Sequence, residues 1–464
     1  MDRALRQAAG PRPTPAPLAH PAQITTGNRQ YREALDYLFA RTTGKWKLGL
    51  ERMDALLARI GRPHEQLRAF HVAGTNGKGS VCATLDALLQ AKGLKVGLYT
   101  SPHLVDFRER FVINGVPITE DDVTSWIARR TRVVERLRAT FFEATTAMAF
   151  ELFARAEVEV AVIEVGLGGR LDATNVVSPL AAGVASIGID HVEFLGDTRE
   201  QIAWEKAGIF KPGRPAVIGE SDPAIRELLA HHAREAGADP VRVVADELTL
   251  GDVRLEPEGG TSFTLRTVGK PGRGVRLCTP LSGVHQAANT ALALAMLDSA
   301  GKPYAVSPRD AAPALGRVSL PGRFQRVGSF LFDVAHNPDG ALGLVNTLRA
   351  VRPSGPVVAL LSVLADKDWR GVMDQLGTVV DHFVLTSAPS APASRAWNPH
   401  DALAYARARG WSAECETDFE HAMALAESAG RTTLVTGSFH TVGDAMARVA
   451  GRADASLPVA PLAG

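Results

Sequence analysis

Residues 70–81 of the chain read FHVAGTNGKGSV, and this stretch decides the fold. It opens with a short apolar run that predicts a strand, and apolar residues at helical spacing follow over residues 81–89. A strand, a glycine-rich loop and a helix start, in that order, aim backbone N–H groups at phosphate oxygens. Lys78 adds a positive charge to the loop. The stretch therefore predicts a nucleotide site on an α/β fold.

The loop departs from the usual phosphate-binding signature, G-x-x-x-x-G-K-S/T. In that signature the hydroxyl residue directly follows the lysine, whereas here Gly79 separates Lys78 from Ser80. A turn that only joins a strand to a helix is the alternative interpretation. ATP or GTP binding is favoured, because glycines, a lysine and a hydroxyl residue rarely coincide at such a turn.

Short apolar runs then alternate with helix-length segments. The runs lie at residues 96–99, 158–165, 184–189 and 216–219, and each is followed by Gly, Pro or a polar cluster. This alternation predicts a mainly parallel sheet covered by helices. Residues 241–279 differ, since turn residues rather than helices separate their apolar runs. This pattern predicts a short stretch of antiparallel strands.

Two folded domains follow from this pattern. The first spans residues 30–320 and ends in a proline-containing loop region, and a second α/β alternation over residues 321–452 predicts a smaller domain. Residues 1–29 are rich in proline and are predicted to be a flexible tail, and residues 453–464 a second tail.

The composition excludes several classes of protein. The chain has 464 residues, 45% hydrophobic and 22% charged, and its 51 Lys and Arg against 50 Asp and Glu provide no positive field for nucleic acid. The three cysteines have neither disulfide-framework nor metal-site spacing. No apolar run reaches the ~18–20 residues that span a bilayer. We expect a cytoplasmic protein without nucleic-acid or membrane partners.

Two polar residues at strand ends are candidate metal ligands. Glu164 ends an apolar run, where an ionised carboxylate is costly unless it is paired or binds a cation, and magnesium is the natural cation of a nucleotide site. The alternative is a carboxylate that reaches solvent or an arginine. His191 follows another run, at the sheet edge where α/β folds bind ligands, although a lone histidine is more often structural.

Lys206 looks like an ordinary surface lysine. An ammonium group has only donors and cannot ligate a metal. Carbamylation would convert it into a carboxylate-like ligand, but neither composition nor spacing indicates that modification.

Ten motifs together identify a family that the chain resembles. It is similar to folylpolyglutamate synthases and bifunctional dihydrofolate synthases, which are relatives of the Mur amino-acid ligases. The resemblance covers roughly residues 31–450 and rests on AGTNGKGSV (73–81), YTSPHL (99–104), FFEATTA (141–147), EVGLGGRLDATN (164–175), DH (190–191), EKAGI (205–209), PGRFQ (321–325), DVAHNP (333–338), LADKDW (364–369) and TGSFHTVG (436–443).

The resemblance implies a fold and a reaction. The fold is a P-loop ATPase domain of the Mur central-domain type, followed by a smaller Rossmann-like α/β domain. The reaction is an ATP-dependent ligation of L-glutamate to 7,8-dihydropteroate, to a reduced folate, or to both, through an acyl phosphate. Two magnesium ions are implied, potassium is a further candidate, and a monomer is expected.

The resemblance also implies site residues, carried over motif by motif. Lys78, Glu164, His191, Lys206 and His336 are the candidate catalytic residues. The metal ligands are Ser101, Glu164, His191 and, if carbamylated, Lys206. The ATP contacts are Thr75, Asn76, Gly77, Lys78, Gly79, Ser80, Asn289, Arg323 and Asp333. The pteroate contacts are Phe141, Phe142, Glu143, Leu171, Asp172 and Ala173, and the glutamate contacts are His336 and Ser438.

Some of these roles have a structural alternative. A Phe-Phe pair at a helix start packs in a core about as often as it binds a flat ring. A local cap or turn bond is an equal alternative for His336 and Ser438.

Three other functions are alternatives. A folylpolyglutamate synthase without the first activity uses the same chemistry. A Mur-type ligase is expected to carry a further substrate domain ahead of the phosphate loop, and only 73 residues precede Gly74. A nucleotide switch without synthetase activity leaves Glu164, His191 and the C-terminal motifs without a shared purpose.

Overall fold

The computed structural model describes residues 29–42, 49–257, 259–269, 272 and 274–453. The predicted tails therefore lie almost wholly outside the described residues. Within these residues no helix is long and apolar enough to cross a bilayer.

The first sheet has eight strands in the order β4-β3-β2-β5-β1-β6-β7-β8. Its central strands are parallel, and β3 and β4 join one edge in antiparallel orientation. The strands are β1 (Ala69–Ala73), β2 (Val96–Tyr99), β3 (Phe111–Ile113), β4 (Val116–Pro117), β5 (Val160–Glu164), β6 (Ala181–Val184), β7 (Ala216–Ile218) and β8 (Val241–Val243).

Two further sheets follow. An antiparallel sheet in the order β11-β10-β9 is formed by β9 (Leu248–Leu255), β10 (Thr261–Thr267) and β11 (Val275–Thr279). The last sheet has the order β12-β13-β17-β14-β15-β16 and is parallel except for β12. Its strands are β12 (Gln325–Val327), β13 (Phe330–Phe332), β14 (Val357–Leu361), β15 (His382–Leu385), β16 (Ala413–Cys415) and β17 (Thr432–Thr436).

Helices cover both faces of the two parallel sheets. They are α1 (Arg29–Phe39), α2 (Glu51–Arg59), α3 (Lys78–Ala91), α4 (Glu120–Arg136), α5 (Phe141–Arg155), α6 (Val192–Leu195), α7 (Arg199–Ala207), α8 (Pro223–Glu235), α9 (Val244–Glu247), α10 (His285–Ala300), α11 (Pro308–Leu315), α12 (Pro338–Val351), α13 (Trp369–Leu376), α14 (Pro399–Ala408), α15 (Phe419–Ala429) and α16 (Phe439–Ala453). Short 3₁₀ helices lie at Ala40–Thr42, Pro63–Gln66, Phe107–Arg110, Ala173–Val176 and Ala393–Arg395.

Strand β1 shows how the first sheet is buried on both sides. Phe70 and Val72 belong to the cluster that contains α3 and α10, whereas Ala69 belongs to the cluster that contains α1, α2, α4 and α5. Successive side chains of a strand point to opposite faces, so a strand covered on both faces is mostly apolar, and the buried His71 of β1 has a hydrogen-bond partner in Thr174 at 2.8 Å. This confirms the α/β fold with a mainly parallel sheet and a second α/β sheet after it.

Two of the predicted strand assignments are wrong. The run at residues 184–189 is not a strand beyond Val184, because its partner β1 ends at Ala73 and turns into the phosphate loop. Residues 241–243 belong to the parallel sheet through their pairing with β7, so only β9, β10 and β11 are antiparallel.

The domain limits are still a proposal. We propose a boundary between residues 320 and 321, since the first two sheets use residues up to Thr279 and the last begins at Gln325.

A loop of the first half docks onto the last sheet. The side chain of Leu104 packs in the cluster that contains Val334 and Val442. Helix α16 approaches this loop so closely that a Cβ on Gly443 would lie 2.0 Å from the Leu104 carbonyl oxygen. The loop at residues 101–106 therefore joins the two halves.

Gly443→Ala tests this contact. We expect a loss of about 1–3 kcal/mol in unfolding free energy, because the new methyl group meets backbone that must move. Gly451→Ala is the matched control in the same helix, since nothing lies within 4 Å of its Cβ position, and it should be neutral or stabilising by up to ~1 kcal/mol. Calorimetric melting of both variants gives the measurement, and equal melting temperatures would contradict the docking.

Candidate functional site

The carboxyl ends of the parallel strands form two edges that face each other, and the region between these edges is called the cleft. In the first sheet β1, β5 and β6 all end at one edge, and in the last sheet β13, β14 and β17 do the same. The Asn76 amide donates to Asn337 Oδ1 at 3.2 Å, and Asn337 Nδ2 donates to Asp190 Oδ2 at 3.0 Å. Loops from both sheets therefore line this cleft, where α/β folds bind ligands.

The phosphate loop occupies the first-sheet side of the cleft. Gly77 has φ 88° and caps α3, which begins at Lys78. The Lys78 ammonium donates to the carbonyls of Gly74 at 3.0 Å and Thr75 at 3.2 Å. The first N–H groups of α3 have no partner within the helix, so the loop offers donors and a positive charge to an anion.

Thr75 ties the phosphate loop to the chain after β6. Its hydroxyl donates to the Gly188 carbonyl at 3.0 Å and accepts from the Gly188 N–H at 3.0 Å. The Thr75 N–H donates to the Ser186 carbonyl at 2.7 Å. This side chain therefore holds the loop in shape, while Gly79 and Ser80 lie buried in the first turn of α3.

Glu164 ends β5 as a buried carboxylate. Its Oε2 accepts from the Ser101 N–H at 3.1 Å, and Glu164 forms no ion pair with another described residue. Burial raises the pKa of Glu164, while the Lys78 ammonium, the Ser101 N–H and the Arg323 guanidinium oppose that rise. The structure brings Ser101 and Glu164 together.

His191 lies beside a buried ion pair that sequence reasoning missed. The Asp190 carboxylate pairs with the Lys367 ammonium at 2.5 Å, and His336 Nε2 is 3.4 Å from Asp190 Oδ2. These partners outweigh burial and hold the pKa of Asp190 well below its usual range. Lys367 Nζ is 3.0 Å from His191 Nε2, and burial with this neighbouring cation lowers the pKa of His191 to about 3. The motif LADKDW was the available signal for Lys367.

Lys206 is not a surface lysine. Its side chain is buried, and its ammonium donates to the Gly74 carbonyl at 3.1 Å, the carbonyl that also accepts from Lys78. Burial and the Lys78 charge lower the pKa of Lys206 to about 7. This shift favours the neutral amine, which is the form that can add carbon dioxide.

The described residues contain no group of three His, Cys, Asp or Glu side chains that could hold a metal ion. Glu164, which neighbours Ser101 through the Ser101 backbone N–H, offers one partial ligand set, and His191 with Asp190 offers another. A buried carboxylate without an ion pair fits a cation, because an isolated buried charge is otherwise costly. The donors therefore fit divalent metal if Lys206 or a bound phosphate completes the sets.

Asn289 and Arg323 reach the same cleft from different elements. Asn289 Oδ1 lies 2.6 Å from the position of a Cβ on Gly77. The Arg323 guanidinium lies 5.2 Å from the Phe439 ring centroid, and burial lowers the pKa of Arg323 while Asp333 opposes the shift. Asp333 braces its own loop, since it accepts from the N–H groups of Phe324 and Ala335 at 2.9 Å each.

An aromatic cluster lies at the start of α5. Phe141 stacks on Phe39 with ring centroids 5.4 Å apart, and the Arg110 guanidinium lies 5.2 Å from the Phe141 ring centroid. Phe142 packs on Gly166 so closely that a Cβ there would lie 2.3 Å from Phe142 Cζ. Arg110, which sequence reasoning missed, is buried and donates to His103 Nδ1 at 2.8 Å.

The two carboxylates predicted for the pteroate site already have partners, Asp172 within its own loop and Glu143 both in its own segment and in α2. Glu143 accepts from the Thr140 N–H at 2.7 Å and pairs with Arg52 at 3.1 Å. Asp172 accepts from the Leu167 N–H at 2.8 Å and from Thr174, and burial raises its pKa. Leu171 and Ala173 flank Asp172, and Ala173 is buried in the cluster beneath α5.

The two residues predicted for glutamate differ in placement. His336 Nδ1 donates to the Val334 carbonyl at 2.8 Å, which leaves Nε2 toward Asp190 in the cleft. Ser438 is buried, and its hydroxyl accepts from the Thr441 N–H at 3.1 Å at the start of α16. His336 therefore faces the cleft, whereas Ser438 has the geometry of a local cap.

Comparison with known proteins gives a consistent picture. Residues 72–297 match the Mur ligase middle domain, and residues 322–439 match the Mur ligase glutamate ligase domain. The dihydrofolate synthase/folylpolyglutamate synthase of Bacillus subtilis is 34% identical over 431 residues, which cover 90% of this chain and 99% of that protein.

Solved structures agree with the sequence matches. Escherichia coli FolC in complex with DHPP and ADP superposes with a TM-score of 0.79 at 34% identity, covering 93% of this chain and 99% of that chain. A bifunctional folylpolyglutamate synthase/dihydrofolate synthase with Mn, AMPPNP and L-glutamate bound gives a TM-score of 0.77 at 34% identity, covering 93% and 100%.

Gly77→Ala tests the packing of the phosphate loop. A left-handed backbone costs a non-glycine residue about 1–2 kcal/mol, and the new methyl group also meets Asn289. Gly93→Ala is the matched control, because Gly93 has φ 80° and open space around its Cβ position. We expect Gly77→Ala to lose more unfolding free energy than Gly93→Ala, and Asn289→Ala to remove the excess in the double variant. Equal losses in urea denaturation would contradict the contact.

Proposed function

The chain belongs to the dihydrofolate synthase/folylpolyglutamate synthase family of Mur ligases, and we propose that it carries out the reaction of that family in the cleft described above. It is a carbon–nitrogen ligase that joins glutamate to a folate-type acceptor, with ATP and a divalent metal. One observation carries the placement: the phosphate loop and the glutamate ligase domain meet through Asn76, Asn337 and Asp190.

The first step proposed is activation of the acceptor carboxylate. A carboxylate is a poor acylating agent, so the γ-phosphoryl group of ATP is transferred to it and an acyl phosphate forms. The N–H groups at the start of α3 hold the phosphates. Lys78, released from the Gly74 and Thr75 carbonyls, neutralises charge on the transferred group.

Metal binding is proposed at the two partial ligand sets. Ser101 and Glu164 would hold one Mg²⁺, and His191 with carbamylated Lys206 would hold a second. Bound magnesium supplies charge neutralisation and alignment of the phosphates. Potassium is proposed as a further cation without an assigned site.

The acceptor is proposed to lie against α5. Phe142 packs on Gly166, which lies two residues after Glu164 in the chain. A pteroate ring against Phe141 or Phe142 would therefore have its carboxylate on the Glu164 side of the cleft. Asp172, flanked by Leu171 and Ala173, and Glu143 shape this pocket through their hydrogen bonds.

The second step is attack by the amino group of glutamate on the acyl phosphate, through a tetrahedral intermediate from which phosphate leaves. His336 Nε2 lies 3.4 Å from Asp190 Oδ2 in the cleft, and this position supports a glutamate contact for His336 more strongly than for the capping residue Ser438. Asn289, Arg323 and Asp333 are proposed to surround the nucleotide, between the two halves. The protein is proposed to act as a monomer.

We propose that both activities are present. Glutamate-dependent phosphate release from ATP should be seen with 7,8-dihydropteroate and, separately, with a reduced monoglutamyl folate, in magnesium and potassium. Release with folate alone would identify a folylpolyglutamate synthase, and no release with either acceptor would favour a Mur-type ligase or a nucleotide switch. Lys78→Met should lower kcat by about 10²–10³-fold. Lys95→Met, at an exposed lysine away from the cleft, should not.

Carbamylation of Lys206 is tested by labelling. A ¹³C carbamate signal should form with ¹³C-bicarbonate and should grow between pH 6 and 8, because the neutral amine becomes populated as pH rises through about 7. Lys206→Ala should lose the signal and the activity, with partial rescue of activity by small carboxylates, whereas Lys211→Ala should keep the signal. Full activity of Lys206→Ala would overturn the assignment.

A further inference from the structure

The Lys367 ammonium contacts a ring nitrogen of His191, and a metal ion would need such a nitrogen as a ligand. Lys367 lies in the loop after β14 in the last sheet, whereas Asp190 and His191 follow β6 in the first. Its Nζ pairs with Asp190 at 2.5 Å and lies 3.0 Å from His191 Nε2; Lys367 and Asp190 are buried, and His191 is partly buried. The Lys367 ammonium therefore contacts both Asp190 and His191, the two side chains of this partial ligand set.

The chemistry of imidazole makes this contact exclusive. A neutral imidazole has one N–H and one lone pair. When Lys367 donates to Nε2, that lone pair is used and the proton is on Nδ1, so neither nitrogen is free for a metal. A metal on Nδ1 would instead place an N–H on Nε2, facing the ammonium donor. Metal ligation by His191 and the Lys367 contact cannot coexist on either nitrogen.

We propose that Lys367 and a divalent metal compete for His191, so that metal loading displaces Lys367 from the Asp190–His191 pair. The proposal rests on the proposed function in assigning a metal to His191. Lys367 and His191 belong to opposite sides of the cleft. Displacement of Lys367 by the metal therefore couples metal binding to the position of the loop at residues 362–368.

Asp190 remains held when Lys367 leaves. Asn337 Nδ2 donates to its Oδ2 at 3.0 Å, and His336 Nε2 lies 3.4 Å from the same oxygen. The carboxylate would then also face the metal, which would replace the ammonium as its positive partner. Lys367 is therefore a positioning residue that keeps His191 and Asp190 in place before the metal arrives.

Mn²⁺ binding, followed by electron paramagnetic resonance on the full chain, tests the competition. Lys367→Gln removes the charge but keeps a donor for Asp190, and we expect it to bind Mn²⁺ roughly tenfold more tightly than the unmodified protein, because a like charge at contact distance is removed. Lys367→Arg should stay within about threefold, since it keeps the positive charge. Lys211→Gln, at a lysine outside the cleft, should leave the affinity unchanged.

Two further measurements make the result decisive. In the Lys367→Gln/His191→Gln variant the gain in affinity should disappear. In the unmodified protein, Mn²⁺ should increase hydrogen–deuterium exchange of the loop at residues 362–368, a readout that does not depend on any variant folding.

The possible failures are distinguishable. If His191→Gln alone leaves Mn²⁺ binding unchanged, the metal assignment to His191 fails, and this proposal fails with it. If His191→Gln weakens binding but Lys367→Gln does not tighten it, the metal assignment stands and the competition is refuted. Unchanged exchange of the loop on Mn²⁺ addition would also refute the displacement.

Discussion

The cleft depends on one buried carboxylate, Asp190, whose charge is compensated from the opposite side of the cleft. Its partners Lys367, His336 and Asn337 all follow strands of the last sheet, while Asp190 itself follows β6 of the first. A buried charge without partners costs several kcal/mol, so neither edge can move away without a replacement partner for Asp190. The interaction therefore sets the distance between the phosphate loop and the glutamate ligase domain.

The charges around this carboxylate explain why the cleft suits anionic substrates. Lys78 and Lys206 share the Gly74 carbonyl, and Arg323 approaches from the other side of the cleft. Glu164, Asp333 and Asp190 offset part of this positive charge, and phosphate groups bound beside Lys78 and Arg323 would interact favourably with these cations. The lowered pKa of Lys206 is a direct consequence of this crowding and of burial.

Several residues proposed for the site also stabilise the local fold. Thr75 shapes the phosphate loop through Gly188, and Asp172 shapes its own segment through Leu167 and Thr174. A hydrogen-bonded polar group in a buried loop fixes the backbone nearby, which is what a substrate pocket requires. Some residues of the motifs are therefore explained by the loops that they hold.

The sequence by itself determined the phosphate loop, the mainly parallel α/β architecture and the family, because these depend on local spacing and on motifs contiguous in the chain. It also placed Glu164 at a strand end. Only the tertiary structure decided that Lys206 is buried and that Lys367 meets His191, residues 176 positions apart along the chain. Burial and long-range charge pairing depend on which strand edges face each other, and no local pattern records that arrangement. The extension of β6 was misjudged for the same reason, since its end is set by its neighbour β1.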